Sequence, residues 1–203
     1  MGIFGKKQSD NRGFTIVELL IVIAVIAILA AVTIAVYPGY QQRTRDTQRK
    51  NDMSQLTAAF SAYLLQKDNF VESGSGCGLG GNGNGWLNGV GSLGGDTYPR
   101  AILSCLQDAK VLGAGTFMDP LSCTWASGGV CGVLSGTPAQ AYMKVTCTKS
   151  SKSVTYVLTH LETMARKDAE VDALCDNGTV AGFTATTQKW GTRYGMNYYI
   201  QVR

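Results

Sequence analysis

Histidine occurs once in these 203 residues, proline four times, and cysteine nowhere before position 77. A lone His160 in a run rich in Tyr, Val and Thr excludes a multi-histidine metal site. No G-x-S-x-G elbow accompanies it, so it reads as a packed or edge-strand histidine and not as a catalytic base. No C-x-x-C pair is present to build a zinc ribbon or a thioredoxin-like redox site. The glycine-rich stretch 74–95, eleven glycines in 22 positions, contains no lysine or arginine. A phosphate-binding loop would end in Gly-Lys-Ser/Thr, or would place G-x-G-x-x-G between a strand and a helix, and neither context is there, so the stretch reads as an exposed, partly mobile loop between helix and sheet, tethered by Cys77. No catalytic residue emerges, and the chain is expected not to be an enzyme.

Charge is missing from one place above all. Leu19 to Val36 carries a single polar side chain, Thr33, and Glu18 stands just before that run. As a helix, residues 16–37 would be about 33 Å long, enough to cross a bilayer. A secretory signal has an apolar region of only about 7 to 15 residues, so this run is too long for one. A carboxylate in mid-membrane costs about 2.5 to 3.5 kcal/mol on insertion scales, so Glu18 calls for a positive partner. Cutting between Gly13 and Phe14 would supply one, an amine on Phe14 four residues away. In a bundle of identical helices the carboxylate of one copy meets the amine of the next. Lys6, Lys7 and Arg12 against Asp10 leave residues 1–13 net positive, which keeps them on the cytoplasmic side and sends the rest outward.

Gly13-Phe14-Thr15-Ile16-Val17-Glu18, followed by an apolar helix and preceded by a basic leader, resembles the class III signal of type IV prepilins and pseudopilins. The resemblance implies cleavage after Gly13 by a prepilin peptidase, N-methylation of Phe14 and use of Glu18 in assembly. It also implies an inner-membrane assembly platform as partner, and self-association into a helical polymer. Members often bend this helix with a proline soon after a small-residue pair, here Ala30-Ala31. This chain has Ala35 in that slot and Pro38 three residues later.

The expected fold is α+β. A cleaved leader, 1–13, precedes an apolar membrane-spanning or filament-core half-helix, 14–38, and an amphipathic half-helix, 39–69. A globular head, 70–203, carries the glycine-rich loop and a small antiparallel sheet with disulfide-stapled loops. About 135 residues beyond the helix make room for one core and not two. Met53, Leu56, Phe60, Tyr63 and Leu64 recur at helical spacing and predict the face packed under the head, with Arg43, Arg49, Asp52 and Lys67 turned to water. Residues 101–110 predict a short helix. Strands are expected from Phe117 onward, above all the hairpin 141–147 and 154–162 and a closing strand 197–202.

All six cysteines follow the apolar segment, which fits an oxidising compartment. Six cysteines allow 15 pairings. The preferred set is sequential, Cys77–Cys105, Cys123–Cys131 and Cys147–Cys175, each closing a glycine-rich or polar loop. The competing arrangement joins Cys123 or Cys131 to a strand cysteine such as Cys147.

Without residues 1–13 the chain carries 15 basic against 13 acidic side chains, a net +2, too small to argue for nucleic acid. Arg43, Arg45, Arg49 and Lys50, interrupted by Asp46 and Asp52, read as a solvated helix face more readily than as a DNA site. Asp168, Glu170, Asp172 and Asp176 are hard oxygen ligands of the kind calcium takes, but the glycine of an EF-hand loop is missing. They are expected to form a solvated acidic loop, with no cofactor bound. Asn177-Gly178-Thr179 has the form of a glycosylation sequon and reads as a turn.

The reading that accounts for most of these features is a type IV pilin. It would be held in the inner membrane by one helix, then polymerised into an extracellular filament that meets hosts or surfaces. A type II secretion pseudopilin is the alternative within the family, and a membrane-anchored periplasmic enzyme or receptor the alternative outside it.

Overall fold

A computed structural model describes residues 14–69, 71, 75–93, 96–115, 117–121, 140–176, 180, 183 and 189–202. It divides into two compact units, residues 1–41 and 42–203. Positions 1–13, the pair Cys123 and Cys131, and the sequon at Asn177 lie outside the described residues.

Helix α1, Ile16–Lys67, includes Pro38. Its residues 16–41, which belong to the first unit, are exposed throughout. Leu19, Ile23, Ile26, Leu29 and Val36 each expose more than half of their surface. Thr33, the polar residue of the run, turns its hydroxyl back to the Leu29 carbonyl at 2.8 Å, so the outward surface is entirely apolar there. The α1 pattern ends where Asp68 adopts φ 57°, a left-handed cap whose N–H donates to the Leu64 carbonyl at 2.8 Å.

The second unit is an α+β fold. A four-stranded antiparallel sheet has the order β1 (Gly85–Trp86), β4 (Met143–Lys149), β5 (Lys152–Thr159), β6 (Tyr198–Val202). A two-stranded sheet pairs β2 (Gly91–Leu93) with β3 (Asp96–Tyr98). Short helices α2 (Ile102–Asp108), α3 (Asp168–Asp172) and α4 (Trp190–Tyr194) complete it. The predicted hairpin is β4–β5, with Val145 opposite Tyr156 and Met143 opposite Leu158. Its turn places Ser150 and Ser151 at φ 50° and 62°, a conformation glycine would adopt more cheaply. The Ser150 N–H is anchored by Asp176 Oδ2 at 2.6 Å.

Strand alternation sorts the core into two layers. Met143, Val145, Cys147, Tyr156 and Leu158 face Leu79, Trp86, Trp190 and Tyr194 on one side of the sheet. Tyr142, Val157 and Val202 face the second half of α1 and α2 on the other. Met53, Leu56 and Phe60, expected as the packed stripe, are each fully buried there.

Three expectations need correction. The glycine-rich segment is not a free surface loop: Cys77, Leu79, Asn84, Trp86 and Leu87 are buried, and the segment supplies strand β1. Glycine is needed because the backbone passes against side chains, and a Cβ on Gly85, at φ 100°, would lie 2.7 Å from the Tyr98 hydroxyl. Phe117–Leu121 is not a strand, since Pro120 lacks a donor and Asp119 Oδ1 accepts the Leu121 N–H in a local turn. Arg49, placed in water by its charge, is 1% exposed, because the buried stripe continues backward from Met53 to Arg49 and Asp46 at intervals of four and three.

Candidate functional site

The apolar half of α1 begins with a capping box. Thr15 Oγ1 accepts from the Glu18 N–H at 3.2 Å, while a Glu18 carboxylate oxygen accepts from the Thr15 N–H at 2.8 Å and from the Thr15 hydroxyl at 2.7 Å. The sequence Thr-x-x-Glu produces this locally: the two residues satisfy donors that the first helical turn leaves open. Phe14 precedes the helix and is 92% exposed, and Gly13 lies outside the described residues. Glu18 is therefore an exposed carboxylate, hydrogen-bonded to its own chain, at the foot of an exposed apolar surface.

Such a surface is not stable in water. An exposed apolar patch this large is the mark of a membrane or protein association surface.

The second unit contains a charge cluster that sequence reasoning missed. Arg49 holds Asp119 through two parallel bonds, Nε to Oδ2 at 2.6 Å and Nη2 to Oδ1 at 2.8 Å, and its Nη1 reaches Asp46 at 2.9 Å and Glu162 at 2.7 Å. Arg45 grips Glu162 from the other side at 2.8 and 2.6 Å. Asp46 in turn accepts the N–H groups of Glu162 and Thr163 at 2.9 and 2.8 Å, and the Thr163 hydroxyl at 2.6 Å. Two guanidinium groups and three carboxylates thus tie α1 to the segments 119–121 and 162–163, with one negative charge in excess.

The bonds from Arg45, ahead of those from Arg49, hold the Glu162 carboxyl below its ordinary range. For Asp46, burial works to raise it, and the Thr163, Glu162 and Arg49 hydrogen bonds outweigh that and lower it. Burial likewise opposes charge on Arg49, and the Asp119 and Glu162 bonds prevail and raise it. This is a structural clasp: its donors and acceptors are turned on one another. The basic stretch considered for DNA is accordingly divided, with Arg45 and Arg49 committed inside the protein and Lys50 over the Tyr198 ring at 6.0 Å.

Lys144 is a second missed feature, fully buried in β4. Its Nζ donates to the carbonyls of Val71 and Gly83 and to Thr146 Oγ1, each at 2.8 Å. The carbonyls of Val71 and of Gly83 in the glycine-rich segment, cut off from water by packing, are satisfied in this way.

Disulfides join Cys77 to Cys105 and Cys147 to Cys175. His160 is half-buried beyond the end of β5, its Nδ1 lies 2.7 Å from the Gly195 carbonyl, and burial lowers its basicity. The acidic residues considered for calcium point to separate partners. Asp168 meets Arg166, and Glu170 meets Lys167 and the Tyr199 hydroxyl. Asp172 accepts the Gly191 N–H at 2.7 Å, and Asp176 is taken by Ser150. Among the described residues no group of three or more His, Cys, Asp and Glu side chains is arranged to hold a metal ion.

A family model described as "Prokaryotic N-terminal methylation motif" matches residues 8–34. The chain is 37% identical over 62 residues to the "Type IV major pilin protein PilA" of Myxococcus xanthus, covering 30% of this chain and 28% of that one. It is 40% identical over 63 residues to a "Fimbrial protein" of Pseudomonas aeruginosa, covering 31% and 41%. With the "Type IV major fimbrial protein FimA" of Dichelobacter nodosus it shares 37% over 68 residues, covering 32% and 44%. The chain thus spans less than half the length of these relatives. No solved structure matches it. The methylation motif lies on the foot of the exposed apolar helix, and in its N-terminal segment the chain is similar to proteins named as type IV major pilins and fimbrial proteins.

Proposed function

We propose that the chain is a structural subunit of a type IV pilus. It is made with a basic leader, cut after Gly13 by a prepilin peptidase at the cytoplasmic face, methylated on the new Phe14 amine and held in the inner membrane by residues 14–38. An inner-membrane assembly platform then adds it to an extracellular filament. The observation that carries this reading is Glu18: one carboxylate at the foot of an otherwise apolar exposed helix, four residues after Phe14, within the segment matched by the methylation motif. In water it needs no partner. In a core of packed helices it does, and the amine of a neighbouring subunit provides a charge-assisted bond that its own Thr15 cannot.

Polymerisation follows from the same segment. Identical apolar helices cover one another's surfaces, and pairing of Glu18 with the next subunit's Phe14 fixes their axial offset. The relatives are named as fimbrial proteins and pilins, which favours a surface filament over a secretion pseudopilus. The second unit, stapled by disulfides, would form the outer face that meets surfaces in adhesion or motility. The direct test is Glu18→Ala in a producing cell, with filaments counted by electron microscopy. The variant is expected to accumulate in the membrane with its disulfides formed and to give few or no filaments; a normal filament yield would overturn the pairing.

A further inference from the structure

Tyr37 and Tyr40 stand immediately beyond the apolar run, three residues apart on α1 and so about 60° apart around it, and are 57% and 69% exposed. Leu19 to Val36 presents no outward hydrogen-bonding group, because Thr33 bonds to its own helix. The midpoint of that run falls between Ala27 and Ile28. At 1.5 Å per residue, Glu18 lies about 14 Å below it, Tyr37 about 14 Å above it and Tyr40 about 19 Å above it. The hydrocarbon of a bilayer extends about 15 Å either side of its centre. Glu18 and Tyr37 therefore reach the two edges of the hydrocarbon together, and Tyr40 falls in the headgroup layer.

We infer that Tyr37 and Tyr40 are a lipid-interface anchor that fixes the depth of the unassembled subunit, their rings against the upper acyl chains and their hydroxyls on the ester carbonyl and phosphate oxygens of phospholipid. A ring with one polar end prefers that layer to either water or hydrocarbon. By holding the upper end of the helix there, the pair keeps Glu18 at the opposite interface, where its carboxylate is not drawn into hydrocarbon. The inference rests on the proposal that the helix resides in a membrane before assembly. Phospholipid is favoured over a second copy of the chain as the occupant because the apolar length between Glu18 and Tyr37 matches a bilayer, a match that helix pairing does not require.

The test uses the full chain in dilute phosphatidylethanolamine–phosphatidylglycerol vesicles, with Tyr40→Trp and Ala27→Trp made separately and the added fluorescence read as the difference from the parent. Lipids brominated near the ester end of the chain are expected to quench the Tyr40→Trp probe at least about twofold more than lipids brominated near the terminal methyl, with the order reversed for Ala27→Trp. Adding Tyr37→Ser and Tyr40→Ser to the Ala27→Trp chain should move its probe by two residues of register or more, about 3 Å.

A Tyr40→Trp probe quenched by aqueous iodide and by neither lipid, beside a deep Ala27→Trp probe, overturns the anchor while leaving the helix in the membrane. So does an unmoved Ala27→Trp depth in the double-serine chain. Shielding of the Tyr40→Trp probe that grows with protein density and not with brominated lipid assigns the tyrosines to a second copy. An Ala27→Trp probe beyond the reach of deep bromine sinks the membrane reading and the anchor with it.

Discussion

Residues 16–40 and residues 46–60 belong to one helix and follow opposite rules. In the first stretch Leu, Ile and Val are exposed from end to end; in the second, Asp46 and Arg49 are buried at 3% and 1% beside Met53, Leu56 and Phe60. A helix in water places apolar side chains inward and charges outward. The first stretch departs from this because nothing within its own chain covers it, a role the proposed function gives to lipid and other subunits. The second departs from it because its charges have fixed partners on the 119–121 and 162–163 segments. Exposure of apolar side chains marks assembly, whereas burial of charge marks a clasp within the fold.

The largest effect on the second unit is expected from breaking the clasp on one side. Arg49→Ala strands Asp46, Asp119 and part of Glu162 without their cation, and should destabilise the unit by about 3–5 kcal/mol, read by denaturant unfolding. Replacing Arg49, Asp46 and Asp119 together by apolar residues of similar volume should cost far less than Arg49→Ala alone. A loss equal to that of the single variant would mean that the bonds themselves, and not the stranded charges, carry the effect.

Next is the Cys147–Cys175 disulfide, which closes a sequence separation of 28. Chain entropy assigns a loop of that length about 3.5 kcal/mol, so Cys147→Ser with Cys175→Ser should lower the unfolding midpoint correspondingly. Fluorescence-monitored melting checks it.

Acid should act on the same clasp. Glu162 and Asp46 are held below their ordinary values of 4.5 and 3.8, so the stability they lend is fully present above those values and is lost as pH falls through the lower folded-state values. Unfolding measured from pH 6 downward should show a steep decline that is flatter in Glu162→Gln.

The smallest effect concerns the first stretch. Thr15→Ala removes the cap that Thr15 and Glu18 share, at a cost of about 1 kcal/mol, so amides of the first helical turn should exchange about fivefold faster in detergent micelles with the second unit unaffected. An equal change in both units would deny that they are written by separate rules.

Much of the fold was legible because it is local. The stripe Met53, Leu56, Phe60 follows helical spacing, and the hairpin Met143–Lys149 with Lys152–Thr159 follows from alternating Tyr, Val and Thr around a polar turn. What escaped depends on contacts distant in sequence. Arg49 reads as a surface residue until Asp119, 70 positions away, and Glu162, 113 away, are brought to it. Its place was nonetheless marked, since the Met53 stripe extended backward falls on it. Lys144 escaped because strand alternation assigns a face without saying that the buried carbonyls of Val71 and Gly83 wait there. The glycine-rich stretch reads as an exposed loop, whereas Gly85 and Gly89 serve close approach to Tyr98. At the N-terminus, Thr-x-x-Glu spelled out a helix cap that attention to the Glu18 charge alone passed over.

The central claim, that the exposed apolar stretch is the processed assembly segment of a pilin, is tested most directly by the mass of the mature N-terminus. The chain is purified from cells holding a prepilin peptidase, and its terminal peptide is sequenced by mass spectrometry. The account predicts a chain that begins at Phe14 and carries one added methyl group on its amine. A chain that retains residues 1–13 in such cells would contradict it and leave residues 14–38 as a plain membrane anchor.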